Sequence, residues 1–108
     1  MTQPVKICVV CHYPLSSSLI TERMQEVAQE NKLPVEIQYL GVDELKEKAA
    51  QYDVILLSPQ VRFNKALIQE LIKPQNIPVV VIPMKIYGLV QAEQALELAL
   101  EAHEKGIH

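Results

Sequence analysis

The chain has 108 residues, enough for one domain around a single core, and 49% of them are hydrophobic but only 5% aromatic, so aliphatic packing must fill that core. A formal net charge of -3 leaves no basic footprint, which argues against nucleic acid as a partner. No run approaches the roughly 18 to 20 apolar residues of a membrane span, and the N-terminus lacks a secretory pattern, so the sequence reads as cytosolic with no direct membrane insertion.

In chain order, Val5 to Val10 is a near-continuous apolar run, the signature of a strand buried on both faces of a parallel sheet. Three serines, Ser16, Ser17 and Ser18, then open a helix expected to run to about Asn31, with Ile20, Met24, Val27 and Ala28 at helical spacing. Val35 to Leu40 alternates Val35, Ile37 and Tyr39 against Glu36 and Gln38, which predicts an edge strand broken at Gly41. Val42, Leu45 and Ala49 mark a short helix whose first turn carries Asp43 and Glu44, where the dipole favours acids.

Val54 to Leu57 is a second fully apolar strand, stopped by Ser58-Pro59. Asn64 is placed to cap a third helix carrying Leu67, Ile68, Leu71 and Ile72, and Val79 to Ile82 reads as the fourth strand. After Met84 to Gly88 comes a last helix with Ala92, Ala95, Leu96, Ala99 and Leu100 inward, and a polar tail from about His103 that is expected to fray. Strands and helices thus alternate four times. The reading is one α/β domain over residues 1 to 108, a three-layer open four-stranded parallel sheet with helices on both faces, flavodoxin-like or phosphotyrosine-phosphatase-like in topology.

Ligands of such sheets bind beyond the carboxyl ends of the strands. Three segments lie there: Cys11 to Ser18, Ser58 to Asn64, and Pro83 to Gly88. Cys11 is the one good nucleophile among them, set between a strand end and a helix start, where unpaired backbone N–H groups favour an anion or a thiolate. Its bland alternative is a small apolar residue at a strand end, and Cys8, inside the strand, reads as packing. The two cysteines alternate along the strand and face opposite ways, which disfavours a disulfide. The serines have a competing role as helix caps, and His12 reads as an unspecialised loop histidine before it reads as an acid-base group. No Cys/His spacing of a metal site occurs, and no cofactor is called for.

These residues carry a resemblance. The strand ending in Cys11, the Ser-rich helix start, Leu56-Leu57-Ser58-Pro59-Gln60-Val61 and Ile86-Tyr87-Gly88 together resemble the enzyme IIB component of the bacterial sugar phosphotransferase system, lactose/cellobiose class. The resemblance implies that Cys11 takes a phosphoryl group from a histidine of a IIA partner and passes it to a β-glycoside sugar held by a IIC membrane transporter. It implies phosphate-binding roles for His12, Tyr13, Leu15, Ser16, Ser17 and Ser18. It also implies a neighbouring partner surface around Gln60 and Tyr87. Both partners must approach the same face, so exposed apolar Tyr13, Leu15, Val61 and Phe63 are read as extending that docking patch, with Leu15 and Phe63 reading equally well as core.

One departure stands out. The family loop resembles Cys-Ser-Ala-Gly-Met-Ser-Thr-Ser, and with Cys11 on its cysteine, Pro14 falls on the glycine. Proline fixes φ near about -65° and removes an N–H donor. That departure keeps open a IIB-like regulatory module that binds without carrying phosphate. A low-molecular-weight phosphatase uses similar geometry, but no residue from 11 to 18 is Lys or Arg, so the guanidinium that such a loop ends on is missing.

Overall fold

A strand with five consecutive buried residues, β1 (Val5–Cys11), runs through the middle of the molecule and needs cover on both faces. The computed structural model describes residues 4–11, 14–72 and 76–106, with residues 14–17 described by their backbone alone. In it β1 is flanked by β2 (Val35–Gly41) and β3 (Val54–Leu57), and β4 (Val79–Val81) lies beyond β3. All pairings are parallel, in the order β2-β1-β3-β4.

Alternation along the strands divides the interior into two cores. Ile7, Val9, Val54 and Leu56 face α1 (Pro14–Glu30) and α5 (Ala92–Lys105), where Ile20, Met24, Leu96 and three buried alanines, Ala95, Ala99 and Ala102, meet them. Cys8, Val10, Ile55 and Leu57 face the other way, towards Leu45 of α2 (Val42–Lys48) and Ile68 of α3 (Lys65–Leu71). Each aliphatic side chain so buried contributes about 1.5–3 kcal/mol, which is why the cores dominate the stability of a chain this poor in aromatics.

The crossovers explain where a ligand would sit. The chain leaves β1 through α1 on one face to reach β2, then returns past β1 through α2 on the opposite face to reach β3. Neighbouring β1 and β3 therefore send their onward connections in opposite directions, and the crevice at their carboxyl ends is the topological switch point of the sheet.

Several boundaries differ from the sequence reading. The first helix starts at Pro14, two residues before the serines, because proline's fixed φ suits the first helical position and its missing N–H is needed by nothing there. Asn64 does not cap α3 with its side chain, since the chain enters α3 directly from a 3-10 segment, Pro59–Asn64, with no extended residue between. Leu67 and Leu71 face outward, leaving Ile68 and Ile72 to fill the core. Tyr39 is likewise exposed on edge strand β2, and Val61, expected on a docking surface, is fully buried. Met84–Gly88 forms a short helix, α4. The last helix does not fray at His103: it runs to Lys105 and is closed by Gly106 in the left-handed region, whose N–H bonds the Ala102 carbonyl.

Candidate functional site

Cys11 is the last residue of the central strand, and the register shows what surrounds it. On one side it pairs with Gly41, the last residue of β2. On the other, Val10 pairs with Leu57, and one step further the Ser58 N–H donates to the Val10 carbonyl at 2.9 Å, which brings Ser58 alongside Cys11. The Ile82 N–H continues the row by donating to the Leu57 carbonyl at 2.8 Å. Gly41 and Cys11, the last residues of β2 and β1, thus stand in one row with Ser58 and Ile82, the residues that directly follow β3 and β4.

That edge favours an anion. Helix α1 begins three residues after Cys11, and its first-turn N–H groups, those of Leu15 and Ser16, have no acceptor within the helix. Seventeen residues of aligned peptide dipoles end there, and no carboxylate occupies the first turn to oppose an incoming negative charge. Arg62, the cation nearest in sequence to the β3 end, is turned to other work: its guanidinium donates to the Pro59 carbonyl at 2.7 Å and lies 4.4 Å from the centre of the Phe63 ring. Among the described residues, backbone amides, the hydroxyls of Ser18 and Ser58 and a helix terminus are what this edge offers in place of a guanidinium fork, while on the β2 side the Glu44 carboxylate accepts the Gly41 N–H at 3.4 Å.

The other cysteine has a different environment. Cys8 is fully buried in the core under α2 and α3, and burial, with the Glu44 charge adding to it, pushes its thiol far above the ordinary range. It is a packing residue. Neither Cys8 nor Cys11 is in a disulfide.

Comparison with known families decides what this arrangement belongs to. The family model for the phosphotransferase (PTS) system, lactose/cellobiose specific IIB subunit, matches residues 6–98. The chain belongs to that family. An oligo-beta-mannoside-specific EIIB component of Bacillus subtilis is 37% identical over 95 residues, covering 88% of this chain and 92% of that one. A cellobiose-specific EIIB component of Lactococcus lactis is 30% identical over 98 residues, covering 86% and 91%. Among solved structures, the cellobiose-specific IIB component of Borrelia burgdorferi superposes with a TM-score of 0.83 at 31% identity, over 99% of this chain and 98% of that one. The lactose-specific IIB domain of Streptococcus pneumoniae has the same fold, with a TM-score of 0.83 at 22% identity over 92% and 97% of the two chains. The chain is thus a IIB phosphotransferase component of flavodoxin-like α/β fold.

Within this IIB subunit the residues named from sequence fall as follows. Cys11 is 1% exposed at the end of β1. His12 and Tyr13 lie outside the described residues. The backbones of Leu15, Ser16 and Ser17 are in the first turn and a half of α1, their side chains lying outside the description, and Ser18 follows, partly buried. The serines are therefore inside the helix, so none of them is its N-cap. Gln60 and Phe63 are exposed in the 3-10 segment that leaves β3, and Tyr87 of α4 packs half-buried against the core under α1 and α5. All three sit on connections from the carboxyl edge.

A cleft of about 390 Å³ between α1 and β2, lined by Gln25, Gln29, Lys32, Glu36 and Gln38, lies along the first half of β2 instead and contains no cysteine. Among the described residues no three of His, Cys, Asp or Glu converge as a metal site would need, and no helix is long and apolar enough to cross a membrane. Sequence reasoning places Ser58 at the start of the second carboxyl-edge segment but gives it no role, its one signal being a hydroxyl directly following an all-apolar strand.

Proposed function

We propose that this IIB subunit carries the phosphoryl group on Cys11. The observation that supports it is positional: Cys11 is the thiol at the carboxyl end of the central strand, at the switch point of the sheet and just before the N-terminus of a long helix. The donor is the phosphohistidine of a IIA partner. The Cys11 thiolate attacks phosphorus in line, the S–P bond forms as the N–P bond breaks, and the imidazole nitrogen keeps the electron pair. In the second transfer a sugar hydroxyl oxygen attacks the same phosphorus, the S–P bond breaks, sulfur leaves as thiolate, and the hydroxyl proton passes to a base.

The phosphoryl oxygens rest on the first-turn amides of α1 and on the hydroxyls and amides of His12, Tyr13 and residues 15–18, so positioning and charge stabilisation carry both steps. With Cys11 almost fully covered, transfer requires the carboxyl edge to open when a partner docks. Gln60, Phe63 and Tyr87 form the surface to which IIA and then the IIC transporter bind in turn, which places the reaction on the cytoplasmic side. The acceptor is a β-glycoside of the cellobiose or lactose type held by IIC, in line with the family and with the sugars named for its relatives.

The test is to incubate the protein with phosphoenolpyruvate and the upstream phosphotransfer components and to follow intact mass. One phosphoryl adduct is expected, and Cys11→Ser abolishes it. No adduct in the presence of a functional donor would instead make the chain a IIB-like binding module, and turnover of an aryl phosphate would make it a phosphatase.

A further inference from the structure

We propose that the Ser58 hydroxyl is a catalytic hydrogen-bond donor to the phosphoryl group on Cys11, an assignment that rests on the reading of Cys11 given above. Ser58 is 0% exposed, and its Oγ has no hydrogen-bond partner among the described residues. Buried hydroxyls are nearly always paired, so one left open calls for a reason. Capping, the ordinary use of such a serine, is not taken up. Ser58 stands at the N-cap of the 3-10 segment with extended backbone, φ -64° and ψ 156°, yet its side chain makes no capping bond. Pro59 brings no N–H, and the Val61 N–H goes to the Ser58 carbonyl at 3.0 Å.

The register aims the hydroxyl. Leu57 points into the core under α2 and α3, so alternation turns the Ser58 side chain to the opposite face. Cys11 follows Val10, which also points under α2 and α3, and so turns the same way. The two residues are neighbours across a parallel pair whose strands lie about 4.8 Å apart. From the other side, Gly41 has no side chain to offer. At rest the hydroxyl makes no hydrogen bond to the thiol. A phosphoryl group on the sulfur brings charged oxygens into the row, and a neutral donor held beside them forms a short, strong bond. The bond exists only once phosphate has arrived, which is the differential stabilisation that speeds transfer. Ser58 keeps its proton throughout; the S–P and N–P bonds alone change.

Among the described residues two other buried side-chain polar atoms lack partners, Thr21 Oγ1 and Gln91 Oε1, and neither belongs to a strand end. Thr21 is mid-helix, where a rotamer change returns the hydroxyl to a carbonyl of the preceding turn. Gln91 lines a cleft of about 270 Å³ that also holds Arg23.

The experiment compares wild type, Ser58→Ala and Ser58→Cys with a phosphorylated IIA subunit as donor, reading the rate of adduct formation by intact mass and the urea midpoint with and without the adduct. Ser58→Ala is expected to slow phosphorylation by about ten- to a hundred-fold, the share of one hydrogen bond to a charged group. Ser58→Cys, of similar shape with a weaker donor, is expected to fall between. Without phosphate, Ser58→Ala keeps or raises the urea midpoint, because it removes an unsatisfied hydroxyl. Equal rates in wild type and Ser58→Ala would overturn the assignment, as would a lower resting midpoint with normal transfer, which marks a purely structural serine. If wild type itself takes no phosphate while the donor is active, the reading of Cys11 fails and this assignment goes with it.

Discussion

Cys8 and Cys11 stand three residues apart on β1 and turn their sulfurs to opposite faces of the sheet, one into a sealed core and one to the edge where the helix begins. The environment of Cys8 has a consequence for alkaline stability. Its proton is held more tightly in the folded than in the unfolded chain, where a thiol titrates near about 8.5. Below that value both states are protonated and the full stability is present. Above it the unfolded state binds fewer protons, so stability falls as pH rises, by up to about 1.4 kcal/mol per pH unit from this one group. Tyr52, raised chiefly by burial, adds a loss of the same sign above about 10. Urea unfolding between pH 7 and 10 should show the decline, and Cys8→Ala should flatten its first part; a flat wild-type profile would contradict the assignment.

At the opposite end of the same strand, Asp53 grips Lys6 twice. The Asp53 N–H donates to the Lys6 carbonyl at 2.7 Å, and the Asp53 carboxylate accepts the Lys6 N–H at 2.9 Å. The side chain thereby completes the β1–β3 ladder one residue before β3 begins. Asp53→Ala should cost about 0.5–1.5 kcal/mol of stability in urea melts, and Asp53→Asn, which keeps an acceptor oxygen, should recover most of it. Equal losses in both variants would mean that the carboxylate's charge, and not the hydrogen bond, is what matters.

The strands were legible because each is a short apolar run bounded by residues that cannot continue it, as Val54 to Leu57 is by Ser58-Pro59. Cys11 was legible for the same reason, as the polarisable end of such a run before a helix. What was not legible depends on third dimensions. Pro14 read as part of the loop before the serines and begins the helix, since its fixed φ suits the first helical position as well as a loop. Val61 and Phe63, two apolar residues in one segment, look alike in sequence; the 3-10 turn buries the first and leaves the second 82% exposed. That Ser58 lies beside Cys11, 47 positions away in the chain, shows only in the register.

Gly106 ends α5 with φ 66° and ψ 35°, a conformation that costs a side-chain-bearing residue about 1–2 kcal/mol. Nothing lies within 4 Å of where its Cβ would be, so the cost of Gly106→Ala is conformational alone. The substitution should therefore destabilise by about 1 kcal/mol or fray the last turn instead. Urea melts give the first quantity, and amide exchange over Glu101 to Lys105 gives the second. A variant as stable as wild type with an unfrayed helix end would show that the left-handed cap contributes nothing.

Phe63 separates docking from folding. Its ring is 82% exposed and touched from one side by the Arg62 guanidinium, so the fold gains little from it, and Phe63→Ala should alter stability by no more than about 0.5 kcal/mol. A large apolar ring kept in water beside the carboxyl edge of the sheet is the type of residue on which interface energy concentrates. If Phe63 anchors the IIA donor, its truncation should lower kcat/KM for phosphorylation of Cys11 by about tenfold or more, chiefly through KM, because the ring meets the partner and not the phosphorus. Arg62→Ala, which removes the cation held over the ring and frees it to move, should give a smaller loss of the same kind. Transfer kinetics measured against a range of donor concentrations resolve these outcomes. Unchanged KM in both variants, with Ser58→Ala still slowed, would leave the chemistry at Cys11 in place and move the docking surface elsewhere on the carboxyl edge, to Gln60 and Tyr87.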